Sequence, residues 1–183
     1  MISCKKSHCA MCKNIILISL FVIISLSSKG QLLKTRLDFV GGIGYPEFMH
    51  IGMRYQYSKV AQLGFYYGGD LGLDNAIIRT WNFDHMYGFG KHSYFSNRPV
   101  WYARQGFTYS VHTTADRIYK YSYINLSAGR DFNINSFIAV NADMGLILQV
   151  REKREFKDPS LDSWYRTDWI WKALIRIQLS ISL

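Results

Sequence analysis

Apolar and polar residues alternate along the last eleven positions of the chain. Ala173, Ile175, Ile177, Leu179, Ile181 and Leu183 fall on one face, Arg176, Gln178, Ser180 and Ser182 on the other, and only Leu174 breaks the rule. A period of two marks a β-strand with one apolar and one polar face. The run is longer than the usual five or six residues of a sheet strand and matches the roughly 9 to 11 that cross a bilayer at a tilt.

The same alternation is read upstream. Residues 33–45 set Leu37, Phe39, Ile43 and Tyr45 against Arg36, Asp38, Gly42 and Gly44; residues 47–57 set Met49, Ile51, Met53, Tyr55 and Tyr57 against His50, Gly52, Arg54 and Gln56. A third strand over 60–73 opposes Leu63, Phe65, Tyr67 and Leu71 to Gln62, Gly64, Gly68, Asp70 and Gly72. A fourth over 79–94 opposes Trp81, Phe83, Tyr87 and Phe89 to Asn82, Asp84, Gly88 and Gly90, and the turn Ser96-Asn97-Arg98-Pro99 ends it. Strand five over 100–111 carries Trp101, Ala103, Phe107, Tyr109 and Val111 opposite Tyr102, Arg104, Gly106, Thr108 and Ser110. Strand six, 118–130, changes phase between Tyr123 and Ile124, which predicts a bulge. Strand seven, 136–150, sets Ile138, Val140, Ala142, Met144, Leu146 and Leu148 against Asn141, Asp143, Gly145 and Gln149. No window has a helical period. The expected fold is all-β, an eight-stranded antiparallel up-and-down transmembrane β-barrel.

Alternation alone does not say which face points outward, because a soluble lipocalin-like barrel alternates in the opposite sense. The polar face carries Gly, Asn, Ser and Gln rather than the Lys and Glu of a wetted exterior. Its charges are Arg36, Arg54, Arg104 and Arg176 against Asp38, Asp70, Asp84 and Asp143, a balanced set that suits ion pairing in a narrow lumen. Aromatic residues supply a second criterion, since Trp and Tyr favour membrane interfaces. With both termini at one end, Tyr45, Trp81, Tyr109, Tyr119, Tyr121, Trp169 and Trp171 gather toward the other end as one girdle, and Tyr57, Tyr94 and Trp101 form a second.

Charge and cysteine content change meaning once located. The formal net charge of +9 comes from 22 Lys+Arg and 13 Asp+Glu. Lys5, Lys6, Lys13 and Lys29 precede residue 31, as do Cys4, Cys9 and Cys12. Without those lysines the excess falls to +5, 18 against 13. Residues 14–26, NIILISLFVIISL, are uncharged, preceded by lysines and followed by small residues, the order of a secretory signal peptide with cleavage expected before Gln31. Thirteen residues are too few for a membrane-spanning helix. The expected organisation is therefore a cleaved signal over 1–30 and a barrel over 31–183. Cys9-Ala-Met-Cys12 lacks a second pair, so no metal site and no cofactor are expected.

A signal peptide, eight alternating strands, an aromatic-rich rim and a final amphipathic strand together resemble the small eight-stranded outer-membrane barrels of OmpA or OmpX type. The resemblance covers 31–183 and is architectural. Such barrels usually end in an aromatic residue, whereas this chain ends in Leu183. The resemblance implies a Gram-negative outer membrane, outer-membrane lipid and lipopolysaccharide as surroundings, and insertion by the barrel-assembly machinery. Eight strands also leave an interior that side chains fill, which argues against a general porin.

Candidate chemistry is sparse. His92, Ser93 and Ser96 supply the residue types of an acyl hydrolase, but their spacing does not match the His-x-Ser of the lipid A deacylase barrels, and the topology places them at the periplasmic end. His50, His85 and His112 have no partner legible in the sequence. Arg151, Lys153, Arg154 and Lys157 open a mixed-charge loop expected at the cell surface, where contact with anionic lipopolysaccharide or a surface partner is the functional reading. Mixed signs without an aromatic-basic groove argue against nucleic acid. The leading expectation is a non-enzymatic outer-membrane barrel with a structural or surface-interaction role. A lipid A-modifying acyl hydrolase or transferase barrel and a secreted lipocalin-like binding barrel are the alternatives.

Overall fold

The computed structural model describes residues 36–70, 76–157, 164–166 and 169–183. The expected signal peptide, and Leu71 and Gly72 of the third strand, lie outside them. The described residues form β1 (Arg36–Gly44), β2 (Phe48–Gln56), β3 (Ala61–Gly69), β4 (Ile77–His92), β5 (Pro99–Thr113), β6 (Arg117–Asn133), β7 (Ile138–Phe156), β8 (Trp164–Arg166) and β9 (Ile170–Ser182).

From β2 to β8 each strand pairs antiparallel with the one before it, β9 pairs with β7, and β1 pairs with β9, so the sheet closes. The ring has eight members. The three-residue β8 extends the β9 position along β7, its register stepped by one residue: Gln149 pairs with Ile170, and Glu152 with Arg166. Closure leaves no long unpaired edge, which removes the aggregation hazard of an open sheet.

The ladder registers fix the geometry of the cylinder. From Ser182 on β9 the pairs run through Asp38, Arg54, Gly64, Asp84, Gly106, Asn125 and Ile147 and return to β9 at Lys172, ten residues from the start. Ten residues of stagger over eight strands corresponds to a strand tilt of roughly 40° and an interior only wide enough for side chains.

The expected faces are recovered on most strands. Asp38, Arg54, Asn82, Asp84, Arg104, Thr108, Asn141, Asp143, Arg176 and Gln178 are buried, while Phe39, Ile51, Phe83, Phe107, Met144 and Ile175 on the opposite faces are exposed. A water-soluble core is inverted here. One small apolar cluster lies inside, Tyr123, Ile147 and Leu174, with Tyr45 and Tyr121 packed on it. Leu174, which breaks the alternation of the last strand, belongs to this cluster.

Two local expectations are corrected. Strand six keeps its phase; the irregularity falls at Ser122/Tyr123, where Ser122 pairs with Arg151 and Tyr123 with Gln149, so the unmatched residue is Val150 on β7. Strand seven also continues past residue 150, and Arg151–Phe156 is ladder rather than loop because β6 and β8 flank and pair with it.

Candidate functional site: a charged lumen inside an apolar belt

The lumen is built on inward positions of the alternation. Asp84 on β4 lies at its centre, 3.3 Å from Arg104 Nη1 on β5 and 3.1 Å from Arg176 Nη1 on β9. Arg104 also reaches Asp143 on β7 at 3.2 Å and donates to Gln178 Oε1 at 2.9 Å. Arg54 donates to Asn141 Oδ1 at 2.7 Å, Asn141 donates to Asp131, and Tyr102 donates to Asp143 at 3.2 Å. Glycine makes room for these groups: a Cβ on Gly106 would stand 2.2 Å from Asp84 Oδ1 and 2.8 Å from the Phe83 carbonyl.

Of the eight expected lumen charges, Asp38, Arg54, Asp84, Arg104, Asp143 and Arg176 are buried inside. Arg36 and Asp70 are not part of the buried centre. Arg36 lies half-buried at the end of β1, 3.7 Å from Asp38 and donating to the Ser136 carbonyl, and Asp70 lies just past β3, accepting the Ile78 N–H at 3.4 Å.

Sequence reasoning missed Glu47 and Arg98, which replace them. Glu47 follows β1 in a tight turn, is 1% exposed, and pairs with Arg176. Arg98 closes the opposite end, its Nη2 3.0 Å from Asp38 Oδ1. Both lie in connections between strands, Glu47 between β1 and β2 and Arg98 between β4 and β5, where alternation gives no direction. Asp131 and His50 complete the buried set, His50 with Gln178 at 2.8 Å. Arg54, Arg98, Arg104 and Arg176 thus face Asp38, Glu47, Asp84, Asp131 and Asp143, so the expected set of four against four becomes four arginines against five carboxylates. A cavity of about 10 Å³ beside Gln62, Met86, Tyr102 and Asp131 is too small for more than about one water.

Outside, Tyr67, Trp81 and Tyr109 are paired neighbours on β3, β4 and β5, with ring centroids 5.6 and 5.9 Å apart. Trp169 and Trp171 are exposed on the β9 side. Trp81, Tyr109, Trp169 and Trp171 therefore lie on the outer surface as expected, but Tyr45, Tyr119 and Tyr121 do not. Because the unmatched residue is on β7, β6 stays in phase, and Tyr119, Tyr121 and Tyr123 stack along its inner face at 6.3 and 5.9 Å. Tyr121 meets the His112 ring at 4.9 Å, and Tyr45 accepts from Lys172 at 3.2 Å.

At the other end Trp101 and Phe89 are paired and exposed, with Arg130 over Trp101 at 5.2 Å. Tyr94 is almost fully exposed in the β4–β5 turn. On β4 the belt between Phe89 and Trp81 covers roughly 20 Å along the barrel axis, at a rise of about 3.3 Å per residue and the tilt given above. One polar group interrupts it. His85 points outward, bonded to Tyr57 Oη at 2.6 Å and to Gln105 Nε2 at 3.3 Å.

The expected surface cations divide between faces. Arg151 and Lys153 point outward, each 5.2 Å from the Tyr165 ring. Arg154 points inward between Tyr119 and Trp164, at 4.9 and 4.4 Å, and Lys157 donates to the Thr114 carbonyl at 2.7 Å. On β4 and its following turn, His92, Ser93 and Ser96 are not joined into a catalytic chain: Ser93 Oγ accepts the Phe95 N–H at 3.3 Å and Ser96 Oγ the Arg98 N–H at 3.4 Å. Among the described residues no group of His, Cys, Asp and Glu could hold a metal ion.

No family model and no curated protein sequence matches the chain. Among solved structures it is similar to the N-terminal β-barrel domain of Pseudomonas aeruginosa OprF, with 12% identity, a TM-score of 0.49, and coverage of 81% of this chain and 96% of that one.

Proposed function

We propose that this chain is an exported, non-enzymatic outer-membrane barrel with a structural or surface-interaction role. The observation that carries the reading is the inverted distribution of polarity: paired charges fill the inside, while Ile51 at 71% and Met144 at 70% exposure stand on the outside. A sheet that exposes such a belt to water would aggregate, whereas hydrocarbon solvates it and closure satisfies the backbone. The belt height fits the apolar band of roughly 25 Å in such barrels. The filled lumen supports a barrel closed to solutes.

In this reading the termini and the turns at 57–60, 93–98 and 134–137 face the periplasm, and the extended β6–β7–β8 ribbon faces the exterior, where its cations contact lipopolysaccharide. Export through the signal over 1–30 and insertion by the barrel-assembly machinery follow from the same reading.

The test is purification from outer-membrane fractions, or refolding into detergent, followed by electrophoresis with and without boiling. The folded barrel is expected to run faster before boiling than after. A water-soluble monomer without this shift would overturn the reading. Release of fatty acid from lipid A, abolished by His92→Ala, would overturn its non-enzymatic part.

A further inference from the structure

The outer belt has one missing side chain. Leu179, Gly41, Ile51, Tyr67, Trp81 and Tyr109 are successive ladder partners on six strands, and Gly41 alone presents no side chain to the outside. Its strand neighbours on that face, Phe39 and Ile43, are both exposed, so a slot one side chain wide opens between them. The backbone does not require glycine there: a Cβ on Gly41 would meet only the His50 carbonyl oxygen, at 3.9 Å. From this slot a groove of about 670 Å³ runs between Phe39, Met53, Phe65 and Leu179, and a second of about 630 Å³ continues over Ile51, Tyr67 and Gly69 to Arg79. Gly41, Ile51 and Tyr67 line both.

Charge is arranged at the upper end. Two residues above Trp81 on β4, Arg79 begins a second ladder row, Gly69, Arg79, Val111, Lys120 and Lys153, which places three cations on the outer face of β4, β6 and β7. Arg151 stands beside them on β7. Glu155 is the carboxylate on this stretch of the outer face, held by Lys120 at 2.7 Å and by Lys153, while Arg79 has no ion pair among the described residues. Asp70 lines the same end but lies on the inner side of the alternation, bonded to the Ile78 N–H. The row spans strands about 4.8 Å apart, so Arg79 and Lys120 are separated by roughly 10 Å in the hydrogen-bonding direction.

An apolar groove leading to several spaced cations fits a lipid that carries acyl chains below and more than one phosphate above. We propose that this face binds one molecule of a bisphosphorylated, multiply acylated glycolipid of the lipid A class, with an acyl chain over Gly41 and phosphates at Arg79 and at Lys120 and Lys153. The site rests on the outer-membrane reading, because its cation row lies at the end assigned to the exterior.

The experiment is native mass spectrometry of the full chain, folded in a zwitterionic detergent and titrated with lipid A, with dephosphorylated lipid A, or with phosphatidylglycerol. Lipid A is expected to be retained as a one-to-one complex at lower concentration than the other two. Arg79→Gln and Lys120→Gln should each weaken retention roughly five-fold. Gly41→Leu should weaken it by at least roughly ten-fold, by filling the acyl slot. Leu179→Trp, which closes the same slot from β9, replaces it if Gly41→Leu fails to fold. Equal retention of the dephosphorylated lipid or of phosphatidylglycerol would overturn the proposal, as would undiminished binding by a folded slot-filling variant. A heat-dependent gel shift in the same preparation separates the two readings: with the shift and without lipid A retention only this inference fails, and without the shift the barrel assignment fails.

Discussion

Arg104 shows at the residue scale how the lumen is held. It lies between two carboxylates on different strands, Asp84 and Asp143, and is itself fully buried. Truncating one partner of a buried pair leaves the others uncompensated, which costs far more than the pair contributes net. Arg104→Ala is therefore expected to lower unfolding stability by roughly 3–5 kcal/mol, measured by urea titration of the barrel in lipid vesicles. Arg104→Lys should recover only part of this, since a point ammonium cannot match the fork that reaches Asp84, Asp143 and Gln178 together. Equal stability of Arg104→Ala and wild type would remove the ion-pair core from the account.

The ribbon formed by the upper parts of β6 and β7 with β8 is the element that extends past the belt. Its outer face is tied by Glu155, whose carboxyl is held below the usual carboxylate range by hydrogen bonds from Lys120 and then Lys153. A depressed carboxyl pKa contributes stability that is fully present above the unfolded value near 4.5 and is lost as pH falls through the folded value. Hydrogen exchange of Lys120 and Lys153 amides is therefore expected to be flat from neutral pH to about 5, after correction for intrinsic rates, and to accelerate below about 4.5. Glu155→Gln should abolish this acid-dependent step. Persistence of the step in that variant would assign it to another group.

For the molecule as a whole, closure with a ten-residue stagger and a lumen packed by arginine, carboxylate and tyrosine groups predicts an impermeable cylinder. Liposomes containing the folded protein should swell no faster in small sugars than empty ones. Swelling at porin-like rates would require the buried network to open, contrary to its packing. The same inversion of polarity that fills the lumen leaves the outer belt apolar, so detergent removal is expected to precipitate the protein rather than yield a monomer.

The alternation by itself determined the strand count and which residues share a face on β2, β3, β4, β5 and β9, because side-chain direction in a strand repeats every two residues whatever surrounds it, and the composition of the polar face then turned it and six of its charges inward. It did not reach Glu47 and Arg98, since a turn has no such period and only the neighbouring strands direct those side chains inward. It also put Tyr119 and Tyr121 on the wrong face: the phase change was assigned to β6, but the unmatched residue, Val150, is on its partner, and a bulge is a property of two strands rather than of one. The slot at Gly41 is of the same kind. A glycine on an apolar face looks like any other in sequence, and it becomes a groove only when the registers set Leu179 and Ile51 on either side of it and bring Arg79, Lys120 and Lys153 into one row above.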